Sequence, residues 1–154
     1  MPPAYIERIK AGRPQLYALA RERYGVELNQ GPFGQNSRPA LIGAKYAETQ
    51  NKGDAYHNAM FEAYWLHAQP IGELDVLAEI AVNVGLDREA FLAALDDPQY
   101  DALVEADVEQ AAAYGLSGVP AMVFEQRYLV SGAQPTPVLQ QVVDRIEAES
   151  ETSL

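Results

Sequence analysis

Gly118-Val119-Pro120-Ala121-Met122-Val123-Phe124-Glu125-Gln126-Arg127-Tyr128-Leu129-Val130-Ser131-Gly132-Ala133-Gln134 is the stretch that decides how this chain folds. Up to Tyr114 apolar residues recur at helical spacing, whereas here the period falls to about two, the signature of a strand. Pro120 to Glu125 and Arg127 to Ser131 read as two antiparallel strands that turn through Glu125-Gln126-Arg127. A proline at the mouth of a strand gives up one ladder donor and is the residue for which a cis peptide is cheap. Placed directly before a strand, Pro120 is expected to shape a site. Met122-Val123-Phe124 reads as buried on both faces, which favours a central over an edge position. A lone hairpin is marginal in water, and nothing else in the chain reads as a strand. Part of the sheet is therefore expected to be missing.

Upstream the chain reads as a run of helices. Tyr5, Ile6, Ile9, Leu16, Leu19, Ala20 and Tyr24 define the first, with Gly12 and Pro14 expected to break or kink it and Gly25 to stop it. Residues 26–37 hold Gly31, Pro32, Gly34 and Asn36 and read as a loop. Ser37 is the expected N-cap of a helix with Pro39 in its first turn. Asn51-Lys52-Gly53 ends that helix, and Asp54 is the expected cap of the next, which runs to Ala68. Further helices follow from Leu74 to Val84, after Asp87 and after Pro98, with Gly85 and Gly115 as stops. Thr136 with Pro137 opens a last helix through Ile146, and residues 147–154 read as a frayed acidic tail. The whole is helices followed by β-β-α, one domain.

Composition excludes several functions. The 154 residues carry a net charge of −11, and no cluster of Lys and Arg exists to meet phosphates, so nucleic acid is not an expected partner. The chain has no cysteine, which excludes disulfides, thiolate catalysis and zinc-thiolate sites within it. The start, Met-Pro-Pro-Ala-Tyr-Ile-Glu, has neither a basic region nor an apolar one. No stretch approaches the roughly 20 apolar residues of a membrane span. The expected location is cytoplasmic, with no membrane partner.

Individual candidates divide into sharp and plain readings. His57 and His67 are the only imidazoles, and their spacing does not match the i, i+4 pair that chelates one ion on a helix. No metal site is expected. Asp96-Asp97 and the series Asp101, Glu105, Asp107, Glu109 lack calcium-loop spacing and read as a solvated helix face. Tyr64 and Trp65, with Phe61 and Met60, are candidates to line an apolar ligand pocket, although such a stripe is more often plain core. Asn36 stands before a helix start, where it either touches a ligand or serves a turn or cap. The Gly-x-x-Gly of residues 31–34 is too short for a phosphate loop.

These residues together resemble a known family. Ala111 to Pro120 gives a loose Ala-x-x-x-Gly-Leu-x-Gly-Val-Pro, followed by an apolar strand, Tyr-x-Val-Ser-Gly-Ala-Gln and a final helix. Asn36-Ser37-x-x-Ala40, Phe61-Glu62-Ala63-Tyr64-Trp65, Ile71 to Leu77 and Ala81 to Asp87 add softer matches. The chain is similar to the DsbA-like thioredoxin-fold proteins, in particular their FrnE-like branch, over roughly residues 14–146. The resemblance implies an α/β thioredoxin-like fold with a large helical insertion at about residues 14–114 and a C-terminal β-β-α portion at about 118–146. It implies that the N-terminal β-α-β half, with its Cys-x-x-Cys, is missing. It further implies that Pro120 is a cis-proline, and that Gly118, Val119 and Pro120 form a substrate-binding wall on which Val119 presents backbone to a peptide or thiol. The aromatic pocket with Asn36 would then lie between helical cap and thioredoxin core.

The family activity so implied is thiol-disulfide oxidoreduction without a cofactor. A thiolate is needed to attack a disulfide, so no catalytic residue is assigned and the chain alone is expected to be inactive. Two other readings stand beside it. One is a non-catalytic module binding a peptide or small ligand. The other is an assembly partner whose open strand edge drives homodimerisation or docking of a separate N-terminal half.

Overall fold

The computed structural model describes residues 2–29 and 31–151. They divide into two compact units, one ending at Glu105 and one beginning at Ala106. The first contains α1 (Pro3–Tyr24), α2 (Arg38–Thr49), α3 (Gly53–Trp65), α4 (Leu74–Asn83), α5 (Arg88–Leu95) and the start of α6 (Pro98–Ala113). The second contains the end of α6, the strands β1 (Ala121–Phe124) and β2 (Tyr128–Ser131), and α7 (Thr136–Glu151).

The core of the first unit is built on α2 to α5. Ala40, Gly43 and Ala47 recur at three- and four-residue spacing on one face of α2 and are all buried, so larger neighbours can approach its backbone. Phe91 and Tyr56 fill that space, both at 0% exposure. Their rings lie 5.7 Å apart, and Tyr46 sets its ring edge-on against both Phe91 at 6.1 Å and Tyr100 at 5.6 Å. Buried rings of this kind typically contribute about 3–5 kcal/mol each by the measure of truncation to alanine. Leu77, Ala78 and Ala81 of α4 close the cluster from the side.

Helix ends follow local chemistry. Asp87 caps α5 as expected, its Oδ1 accepting the Ala90 N–H at 2.8 Å. Gly25 closes α1 at φ +66°, its N–H donating to the Arg21 carbonyl at 3.1 Å, a conformation that glycine adopts without penalty. Other expectations are corrected. Helix α1 runs unbroken through Gly12 and Pro14, because the φ of proline suits a helix and the lost hydrogen bond is a local cost. Ser37 makes no side-chain cap, and Asn36 serves instead, its Oδ1 accepting the Arg38 N–H at 3.1 Å. Asp54 lies inside the first turn of α3, whose N-cap position is Lys52.

In the second unit β1 and β2 pair antiparallel, with Met122 opposite Val130 and Phe124 opposite Tyr128. Glu125 and Gln126 both adopt positive φ, and the Arg127 N–H closes the turn on the Phe124 carbonyl at 3.0 Å. Tyr128 and Val130 are half-buried while Leu129 and Ser131 face water, the alternation of a one-sided sheet. Residues Ala121 to Phe124 are half-buried rather than fully buried, because β2 is the only strand beside β1 among the described residues. Indeed no side chain from 106 to 149 is fully buried. The last helix also runs past its expected end at Ile146. Helix α7 continues to Glu151, since Glu149 accepts hydrogen bonds from the Tyr128 hydroxyl and from Arg145 Nε one turn earlier. Residues 152–154 lie outside the described chain.

Candidate functional site

Gly115 at φ +70° ends α6, and the chain then runs uncoiled through Ser117, Gly118 and Val119 to the first strand. The Val119–Pro120 peptide is cis. Pro120 extends the ladder by one step, its carbonyl accepting the Gly132 N–H at 2.8 Å. Gly118, Val119 and Pro120 are all exposed, Val119 at 94%. Among the described residues the main-chain groups of Ser117, Gly118 and Val119 make no hydrogen bonds. Backbone amides normally find partners in secondary structure, side chains or water. Three consecutive exposed residues next to an antiparallel pair thus carry main-chain donors and acceptors with no partner among the described residues.

Tyr64 and Trp65 come together in the first unit, ring centroids 4.9 Å apart and edge-on. They line a cavity of about 490 Å³ together with residues of α1. Tyr5, Ile9, Arg13 and Tyr17 face it at four-residue steps. The loop after α1 closes one side: Tyr17 donates to the Asn29 carbonyl at 3.3 Å, Arg13 to the Gly31 carbonyl at 3.4 Å, and the Asn29 N–H to the Trp65 carbonyl at 2.8 Å. Asn36 is not among the lining residues. Its side chain is spent on the α2 cap described above, while its neighbours Gln35 and Ser37 reach the cavity. Tyr64 and Trp65 were candidates from the sequence; Arg13 and Phe33, whose guanidinium carbon and ring centroid lie 3.9 Å apart, were not. The four-residue spacing of Tyr5, Ile9, Arg13 and Tyr17 was the available signal.

The other titratable candidates have structural roles. Arg38 binds Asp101 at 2.6 Å and Glu105 at 3.2 Å, and its hydrogen bond holds the Asp101 carboxyl below the usual range. Asp97 accepts the Gln99 N–H at 2.9 Å. His57 and His67 are exposed, His57 lying against Phe61 with centroids 4.6 Å apart. Among the described residues no group of three or more His, Cys, Asp or Glu is gathered to hold a metal. Nor is any helix there long and apolar enough to cross a membrane.

A helical block followed by β-β-α, with a cis-proline at the mouth of the first strand, is the pattern of a DsbA-type thioredoxin fold. Residues 7–144 match the DSBA-like thioredoxin domain, and the chain belongs to that family. It is 35% identical over 81 residues to the uncharacterized protein YwbO of Bacillus subtilis, a match covering 51% of this chain and 40% of that protein. It is 32% identical over 96 residues to the thiol:disulfide interchange protein DsbA of Azotobacter vinelandii, covering 60% of this chain and 45% of the relative. A crystal structure of a probable DsbA oxidoreductase from Streptomyces coelicolor superposes with a TM-score of 0.77 at 29% identity, over 93% of this chain and 62% of that one. The matches thus span less than half the length of these two curated relatives.

Proposed function

We propose that this chain is the substrate-binding part of a DsbA-type exchange system, in which Gly118, Val119 and Pro120 hold an extended peptide and the reactive thiols come from elsewhere. The observation that carries this reading is the exposed Ser117–Val119 backbone with no hydrogen bonds among the described residues, running into a cis-proline. Disulfide exchange proceeds by thiolate attack on sulfur, and the chain has no cysteine. We place the Cys-x-x-Cys, with the β-α-β half of the fold, on residues beyond this sequence or on a second polypeptide. The Ser-Gly-Ala-Gln return strand and the Gly-Val-Pro entry favour the FrnE-like branch, and a cysteine-free surface is compatible with a reducing cytoplasm.

S-carboxymethylated insulin B chain, an unfolded probe, tests the reading. Amide NMR signals of residues 117–119 shift on titration, Val119→Ala leaves the affinity within twofold, and main-chain N-methylation of the probe abolishes binding. The purified chain does not catalyse insulin reduction. Absence of binding, or robust insulin turnover, refutes the proposal.

Assembly through the sheet is the second reading. It is favoured by the lack of fully buried side chains over 106–149 and by the single described neighbour of β1, since an open edge invites another chain. A clean monomer in sedimentation, unchanged up to millimolar concentration, counts against self-pairing.

A further inference from the structure

We infer that the cavity between α1 and the end of α3 is a second binding site, for a small molecule that joins an apolar or aromatic body to a single carboxylate. Its volume of about 490 Å³ lies within the roughly 300–1,000 Å³ usual for small-ligand sites. The walls are mainly aromatic and aliphatic, among them Tyr5, Tyr17, Phe33, Tyr64 and Trp65. Among the described residues Arg13 is the only charged one in the lining.

The polarity of the ligand follows from Arg13. A ring of tyrosines and a tryptophan alone would suit a quaternary ammonium, but a guanidinium already lies over the Phe33 face at 3.9 Å and repels a second cation. Arg13 makes no salt bridge with any described carboxylate. Its one hydrogen bond among the described residues, to the Gly31 carbonyl, is long at 3.4 Å. Of the five N–H donors of a guanidinium, four are unspent, in the fork that matches a carboxylate two-to-two. The chain as a whole carries −11, yet no acid lines this cavity. Gln35, whose Oε1 accepts the Gly72 N–H at 3.2 Å, and Ser37 add neutral polar groups to the lining.

The single tryptophan of the chain, Trp65, lines this cavity and also an apolar cleft that holds Glu62. Its fluorescence, excited at a wavelength where phenyl groups do not absorb, reports on both. A preference for acid over alcohol, which Glu62 opposes, assigns the signal to the Arg13 cavity. The probes are 4-phenylbutyrate, its neutral counterpart 4-phenyl-1-butanol, and tetramethylammonium. Expected is a saturable change with phenylbutyrate, at an affinity at least tenfold tighter than for the alcohol, and no response to tetramethylammonium. Arg13→Gln brings acid and alcohol within threefold of each other, and Arg13→Lys retains part of the preference. No saturable change, equal affinities for acid and alcohol in the unmodified chain, or a response to tetramethylammonium overturns the assignment. The acid-to-alcohol comparison needs no variant and therefore stands whatever Arg13→Gln does to folding. Failure of the insulin B chain to bind sinks the peptide-binding reading and leaves this site untouched, and the converse also holds.

Discussion

The Tyr56 hydroxyl ends against Gly43: a β-carbon at Gly43 would lie 2.7 Å from that oxygen. The same hydroxyl is buried without a hydrogen-bond partner, and burial alone pushes its pKa upward. The helical core therefore holds one buried side-chain polar atom without a partner among the described residues.

Removing that atom is expected to help. A buried, unsatisfied hydroxyl costs roughly 1–3 kcal/mol in desolvation, and Tyr56→Phe keeps the ring that packs on Phe91 at 5.7 Å. Tyr56→Phe should be neutral to stabilising, by up to about 1 kcal/mol, in urea unfolding followed by circular dichroism. A loss above that size would mean the hydroxyl has a partner.

Gly43→Ala is expected to do the opposite. The new methyl would meet Phe91 Cζ at 2.7 Å as well as the Tyr56 oxygen, and overpacking of this kind costs about 1–3 kcal/mol. The double variant Gly43→Ala/Tyr56→Phe should recover part of the loss, because one of the two clashing groups is gone. Strict additivity in the double-mutant cycle would show that the two sites do not touch.

In the hairpin, Glu125 and Gln126 occupy positive φ, at 49° and 54°. Side-chain-bearing residues there cost roughly 1–2 kcal/mol each, and Asn-Gly is the pair that favours two successive left-handed positions. Replacing Glu125-Gln126 by Asn-Gly should raise amide-exchange protection of Tyr128 to Ser131 several-fold. Unchanged protection would place the weak point of the hairpin elsewhere.

The Arg38–Asp101 pair sets an acid-pH prediction. The hydrogen bond from Arg38 lowers the folded-state pKa of Asp101 below its unfolded value of about 3.9. The stabilisation is therefore complete above that unfolded value and is lost as pH falls through the folded one. Arg38→Ala should return the Asp101 carboxyl, followed by NMR, toward its ordinary pKa. Stability of the variant relative to the parent should then differ less at pH 3 than at pH 7.

Much of this architecture was legible in the sequence where local chemistry acts alone. Asp87 declares the start of α5, Gly25 and Gly85 stop their helices, and the drop to a period of two marks the hairpin. Reading failed where a distant contact overrides a local signal. Gly12 and Pro14 look like a break, but Arg13 and Tyr17 around them are tied to Gly31 and Asn29 of the following loop. Asn36 reads more often as turn or cap than as ligand contact, and the position of the Arg38 amide is what decides. Met122-Val123-Phe124 reads as central because its composition is apolar, whereas burial depends on which neighbours are present. Arg13 was overlooked because a lone cation on a helix carries little meaning by itself. Only its four-residue spacing with Tyr5, Ile9 and Tyr17 hinted at a shared face, and Phe33 folds onto it from the following loop.

The four-residue stripe of α1 has a consequence for how this region can change. At 3.6 residues per turn, each step of four advances by about 40°, so Tyr5 to Tyr17 winds through roughly 120° of the helix circumference. Replacing one member alters one contact. Inserting or deleting a single residue between Arg13 and Tyr17 instead turns everything N-terminal to it by about 100°, aiming Arg13, Ile9 and Tyr5 out of the cavity together. Helix α1 behaves as a reading frame for that site, tolerant of spelling changes and broken by a change of length.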